Sequence, residues 1–140
     1  MKNWNLRLFS RKKTKSLPTT PVEYPYGSFV KTEKGYYYIG APGKRYRFIS
    51  KRVLDSWSPH RVIETTEAAV SKYRVVAKMG FRNGSLIHNI ADGKIYYIES
   101  NKRRHVTSPD VLERLGASKE DVVSVSLAEI KLQEPGGELH

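Results

Sequence analysis

From Gly27 onward the chain alternates short runs of β-branched and aromatic residues with turns rich in glycine and polar residues, and the order of these runs occurs twice. Gly27-Ser28-Phe29-Val30 is followed by Tyr36-Tyr37-Tyr38-Ile39, then Lys44-Arg45-Tyr46-Arg47-Phe48-Ile49-Ser50 and Val53-Leu54. Gly84-Ser85-Leu86-Ile87, Ile95-Tyr96-Tyr97-Ile98, Lys102-Arg103-Arg104-His105-Val106-Thr107-Ser108 and Val111-Leu112 repeat it after about 57 residues, with small gaps at turns. The β-branched and aromatic runs predict strands, and the turns between them predict hairpins. Ser50 and Ser108 stand where a helix N-cap belongs, and Pro109 occupies the favoured first helical position. Two short helices follow, Lys51 to Trp57 and Pro109 to Leu115. Val53, Leu54 and Trp57 match Val111, Leu112 and Leu115 as one apolar stripe facing the core. Thr66 and Ser126 predict two further N-caps, and Ser126 with Glu129 has the spacing of a capping box.

The pattern predicts an α+β, mostly β fold made of two tandem, related units of β-hairpin plus short helix that share a core. An extended basic N-terminal arm precedes them. Half-domains of about 55 residues bury too little surface to stand alone, which is why a common core is expected. The boundaries are 1–26 for the arm and a proline-rich linker, 27–83 for unit 1, 84–133 for unit 2 and 134–140 for a flexible tail. Tyr73 to Met79 serves as a β-prone connector, and the Glu-Pro-Gly-Gly run after Gln133 predicts fraying.

Composition changes this picture mainly through charge. The formal net charge is +11, and Lys2, Arg7, Arg11, Lys12, Lys13 and Lys15 all precede the first acidic residue, Glu23. Over half the excess therefore sits in the segment Met1 to Lys15, and the body is mildly basic. Trp4, Leu6 and Leu8 alternate with polar positions, so the arm is able to become an edge strand on a partner, with Trp4, Arg7, Phe9, Arg11, Lys12 and Lys13 as its contacts. The other reading of the arm is a solvated tail. There are no cysteines, so disulfides and thiolate metal sites are excluded. Arg7 breaks the short apolar stretch near the start, so no secretion signal is expected, and no apolar run is long enough to predict a transmembrane segment.

Candidate chemistry is sparse. His60, His88, His105 and His140 fall at non-equivalent repeat positions without partners at metal-ligand spacing. The glycines match neither a dinucleotide fingerprint nor a P-loop, and the acidic residues suggest no converging pair. No catalytic residue, cofactor or metal is assigned, and a non-enzymatic protein is expected. What recurs in both copies is a basic cluster beside tyrosines. Lys44, Arg45 and Arg47 match Lys102, Arg103 and His105, with Arg104 adjoining, while Tyr37 and Tyr96 lie on the neighbouring strands. Period-two geometry puts Arg45 and Arg47 on a solvated face and Tyr46 and Phe48 on an inward one. These residues form a candidate surface for a polyanion or another partner, with exposed tyrosines able to stack on bases. The competing reading is half-buried tyrosines and cations that keep a sheet edge soluble.

The string Ile95-Tyr96-Tyr97-Ile98, a short polar turn, Lys102-Arg103-Arg104-His105-Val106, then Thr107-Ser108-Pro109-Asp110-Val111-Leu112 and finally Asp121-Val122-Val123-Ser124-Val125-Ser126 resembles repeats of bacterial envelope-associated proteins and of bacteriophage proteins. The resemblance covers Gly84 to Ile130 and, more loosely, Gly27 to Val70. It implies an accessory binding or spacer module and carries no catalytic residues. Together with the arm, it implies a non-enzymatic structural protein, an accessory virion component of head, connector or tail whose arm contacts neighbouring subunits. The expected location is the virion or the cytoplasm of the producing cell. The alternative is a binding module for nucleic acid or an anionic cell-envelope polymer, acting through the duplicated basic and tyrosine-bearing hairpins. Other protein subunits are the expected partners in the first reading, and the polyanion in the second.

Overall fold

The computed structural model describes residues 16–140. The predicted arm contacts Trp4, Arg7, Phe9, Arg11, Lys12 and Lys13 lie outside the described residues. The body is mostly β, with two five-stranded sheets and short helices.

Unit 1 begins with an antiparallel meander of β1 (Ser28–Thr32), β2 (Gly35–Ala41) and β3 (Lys44–Arg47). Helix α1 (Lys51–Ser56) crosses back so that β4 (Val62–Glu64) lies parallel to β1, and β5 (Arg74–Lys78) then lies parallel to β3 on the opposite edge. Unit 2 repeats each step. β6 (Leu86–Asn89), β7 (Ile95–Glu99) and β8 (Lys102–Val106) form the meander, α2 (Pro109–Arg114) crosses back, β9 (Val123–Val125) pairs with β6, and β10 (Glu134–Pro135) pairs with β8. The strand orders β4-β1-β2-β3-β5 and β9-β6-β7-β8-β10 are therefore the same. A short helix α3 (Leu127–Ile130) precedes β10, and a turn over Thr65 to Tyr73 holds the matching place in unit 1.

Local chemistry accounts for most element ends. The Ser50 hydroxyl accepts from the Val53 N–H and caps α1. Ser108 makes no such bond, and Pro109 starts α2 by its preset φ instead. Ser126 and Glu129 form the predicted capping box. Ser100 and Asn101 both have positive φ, which closes the β7–β8 hairpin with the twist that two-residue hairpin loops favour.

Three expectations change. The Tyr73 to Met79 connector is a strand for most of its length, β5. The segment after Gln133, expected to fray, is its counterpart: Gly136 N–H donates to Arg103 O and Leu139 N–H to His105 O. Pro135 is the register partner of Arg103, and this edge strand tolerates it because the N–H that donates to Arg103 O belongs to Gly136, so no bond to β8 is lost at residue 135. The proline-rich segment also does more than link. Thr66 Oγ1 donates to Pro18 O at 2.6 Å, Val22 N–H to Ala69 O at 2.9 Å, and Tyr24 N–H to Tyr73 Oη at 2.9 Å.

Each sheet has a helix face and a back face. In unit 1 the back face holds Val30, Tyr37, Ile39, Val70 and Tyr73, with Tyr24 laid against them. The helix face of unit 2 holds Leu86, Val106, Val111 and Leu112. Between these lies a third cluster drawn from both units. Phe48, Val53 and Leu54 from the helix face of unit 1 meet Ile87, Ile98, Val125 and Ile130 from the back face of unit 2, with Phe81 between them. The units thus stack face to back, in one sense along the chain, and share this central core. Trp57 packs against it, whereas its counterpart Leu115 is 37% exposed, because among the described residues nothing covers α2 as unit 2 covers α1.

Candidate binding surface

The recurring Arg and Tyr pairs face the interior. Arg45 stands beside Ile39 across the β2–β3 ladder, on the same face as Tyr37, and its guanidinium lies 4.4 Å from the Tyr37 ring centroid. Nη1 and Nη2 each donate to a Glu67 carboxylate oxygen at 2.9 Å, and Nε donates to Tyr73 O at 2.9 Å. Arg45 is only 8% exposed and Tyr37 only 5%. Burial acts to raise the Glu67 pKa, but hydrogen bonds from Arg45 and Thr32 and the charges of Arg45 and Lys34 outweigh it and hold the carboxyl below its ordinary value.

Unit 2 repeats this tie without the carboxylate. Arg103 lies 5.8 Å from the Tyr96 ring centroid, and its Nη1 donates to Ile130 O and Gln133 O. Leu127 occupies the place of Glu67. In both units the arginine fastens the turn before the fifth strand to the hairpin. Arg45 is therefore not on a solvated face, because that face of β3 is covered by Tyr24 and the Thr65 to Tyr73 turn.

The remaining predicted cations differ between units. Lys44, Arg47 and Lys102 are exposed. Arg104 Nη1 donates to Glu99 at 2.7 Å and its Nε to Gly137 O at 2.7 Å. Tyr46 is half-buried against Tyr38 and Phe48 is buried, as the alternation predicts.

Sequence reasoning missed two groups. Arg74 and Lys78 on β5 stand opposite Lys44 and Arg47, a register that the connector reading of this segment hid. Ser50 at the N-cap of α1 and Arg52 within it reach across the unit boundary to Glu129, which is 2% exposed. Ser50 Oγ donates to it at 2.6 Å, Arg52 Nη2 at 2.9 Å and Arg52 Nε at 3.1 Å. Burial acts to raise the Glu129 pKa, and the hydrogen bonds from Ser50, Ser126 and Arg52 overcome it and lower it. Partners contributed by different units leave no local spacing signal.

Beside α1, at the junction of the units, lies an open groove of about 670 Å³ lined by Arg52, Ser56, Arg82, Ser85, Tyr97 and Asp121 among others. Among the described residues no group of three or more His, Cys, Asp or Glu is placed to hold a metal ion, and no helix is long and apolar enough to cross a membrane. No family model matches the chain, and no curated protein or solved structure matches it.

Proposed function

We propose that this chain is a non-enzymatic structural component of a larger assembly, an accessory protein of a phage-like virion. The observation that carries this reading is the face-to-back stacking of two like units, since a contact of this kind joins different faces and is suited to building arrays. The recurring Arg and Tyr residues support it, because they hold each unit together and do not converge on a reaction centre. In this reading the basic arm contacts neighbouring subunits. Isolation of the native assembly with an affinity-tagged chain tests the proposal. Co-sedimentation with a large particle at fixed stoichiometry is expected, and recovery only as a free small protein contradicts it.

The alternative, polyanion binding through the duplicated hairpins, loses Arg45, Arg103 and Tyr37 to internal contacts and half-buries Tyr96. Its remaining support is the cation pairs of β3 and β5, which occur in unit 1 alone.

A further inference from the structure

Excess charge in the described body is not shared by the two units. Residues 16–83 contain twelve Lys and Arg against five acidic residues, whereas residues 84–140 contain seven against nine. The difference is concentrated on the strand pair where the two folds superpose in register. In unit 1, Lys44 is the register partner of Arg74, and Arg47 that of Lys78. In unit 2 the same positions hold Lys102 opposite Glu134, and His105 with Glu138, whose carboxylate lies 3.1 Å from Nδ1. Equivalent backbone bonds establish the match, because Met79 N–H donates to Arg47 O as Leu139 N–H donates to His105 O.

Neighbouring strands lie about 4.8 Å apart, so like charges in register repel one another and cost stability. Unit 2 shows that the fold accepts acids at both positions of the fifth strand. A need for a charged edge therefore does not explain why unit 1 has cations there. Among the described residues, Lys44, Arg47, Arg74 and Lys78 are all exposed and none is in an ion pair. Lys72, two residues before Arg74, is also exposed and unpaired among the described residues. At the Lys44 and Arg74 end, Lys72 lines a groove of about 470 Å³ with Pro42, Gly43 and Tyr26, and Tyr26 is 63% exposed. Glu23 is the acidic residue in that lining.

We propose that the β3–β5 edge of unit 1 is a binding site for single-stranded nucleic acid, with Lys44 and Arg74 on one side of the edge and Arg47 and Lys78 on the other, flanking the phosphodiester backbone, Lys72 at one end, and Tyr26 as a stacking platform for a base. Cations that flank a sheet edge from both sides, beside an exposed aromatic ring, can hold a single strand without reading sequence. The site goes beyond the assembly role and stands or falls separately from it.

The test uses the full chain and a fluorescent oligothymidine, so that the basic arm is a constant background. Arg74→Glu with Lys78→Glu installs the acidic side chains of unit 2, removing two cations and giving Lys44 and Arg47 acidic partners. Affinity at ~50 mM salt should fall about tenfold or more, and the slope of log affinity against log salt should flatten by about 1.4 to 2.8. The same change should raise the melting temperature, and Arg74→Gln with Lys78→Gln reads binding without new charge. Lys102→Ser with Arg104→Ser, in unit 2, should leave binding and slope unchanged. Tyr26→Ala should weaken oligothymidine by about fivefold or more while leaving base-free polyphosphate unaffected. Unchanged affinity and slope in both β5 variants, or an equal loss in the unit 2 control, overturns the site. Equal effects of Tyr26→Ala on oligothymidine and polyphosphate, or tighter binding of duplex DNA, overturns the single-strand assignment.

Discussion

Arg45 and Arg103 occupy the same rung of the repeat with different electrostatic surroundings, and their substitutions should differ accordingly. Arg45→Met leaves the Glu67 carboxylate partly buried without its bidentate partner, at a cost of about 3 kcal/mol. Arg103→Met loses hydrogen bonds to two carbonyls and leaves no charge behind, so about 1–2 kcal/mol is expected. Urea unfolding of the two variants checks the order; an equal or larger loss for Arg103→Met contradicts the role given to Glu67. The pH dependence has a definite sign. The pKa values of Glu67 and Glu129 are lowered from 4.5 in the folded chain, so their contribution is fully present above that value. It is lost as pH falls below it, through the folded values. Stability measured from pH 7 down to about 3 should therefore drop less steeply in Glu67→Gln, which starts lower but no longer titrates at this position.

At the scale of elements, the fifth strand of each unit separates what was legible from what was not. Strands β1 to β3 and β6 to β8, the hairpins that join them, and the caps at Ser50, Ser126 and Thr66, whose Oγ1 accepts from Ala69 N–H, could be read because their signals are local: apolar runs, turn residues and a hydroxyl before a turn of helix or bend. β10 could not, since Glu134-Pro135-Gly136-Gly137 has the composition of a loose end. Its structure comes from pairing with β8, about thirty residues away in sequence. The inward turn of Arg45 was equally hidden, because period two places it correctly beside Tyr37 but does not say that Tyr24 and Glu67 cover that face. Deleting residues 134–140 should accordingly destabilise the chain. The truncation removes the Gly136 to Arg103 and Leu139 to His105 hydrogen bonds and the packing of Leu139 on Leu86, Val106, Val111 and Leu112. A lower melting temperature in calorimetry is expected, and an unchanged one would mean that the strand contributes nothing.

Across the whole molecule, the face-to-back arrangement makes the units unequal in their dependence on each other. Unit 1 has its back face closed by residues 18–24 of its own chain, whereas the back face of unit 2 is closed by α1 and the aromatic face of unit 1. Separation would expose Ile87, Ile98, Val125 and Ile130 on unit 2 and Phe48, Val53 and Leu54 on unit 1, and would strip Glu129 of Ser50 and Arg52. Burial of side chains this size is worth about 1.5–3 kcal/mol each, which in sum is comparable with the whole stability of a small domain. The chain should therefore unfold in one transition. Leu54→Ala and Ile98→Ala, on opposite sides of the shared cluster, should each cost about 2–5 kcal/mol and lower the same transition. Because both open the same cavity region, their double variant should cost less than the sum of the two. A fragment of residues 84–140 should not fold alone. Two calorimetric transitions, additive losses in the double variant, or a fragment as stable as the full chain would each show that the units are held side by side and do not share a core.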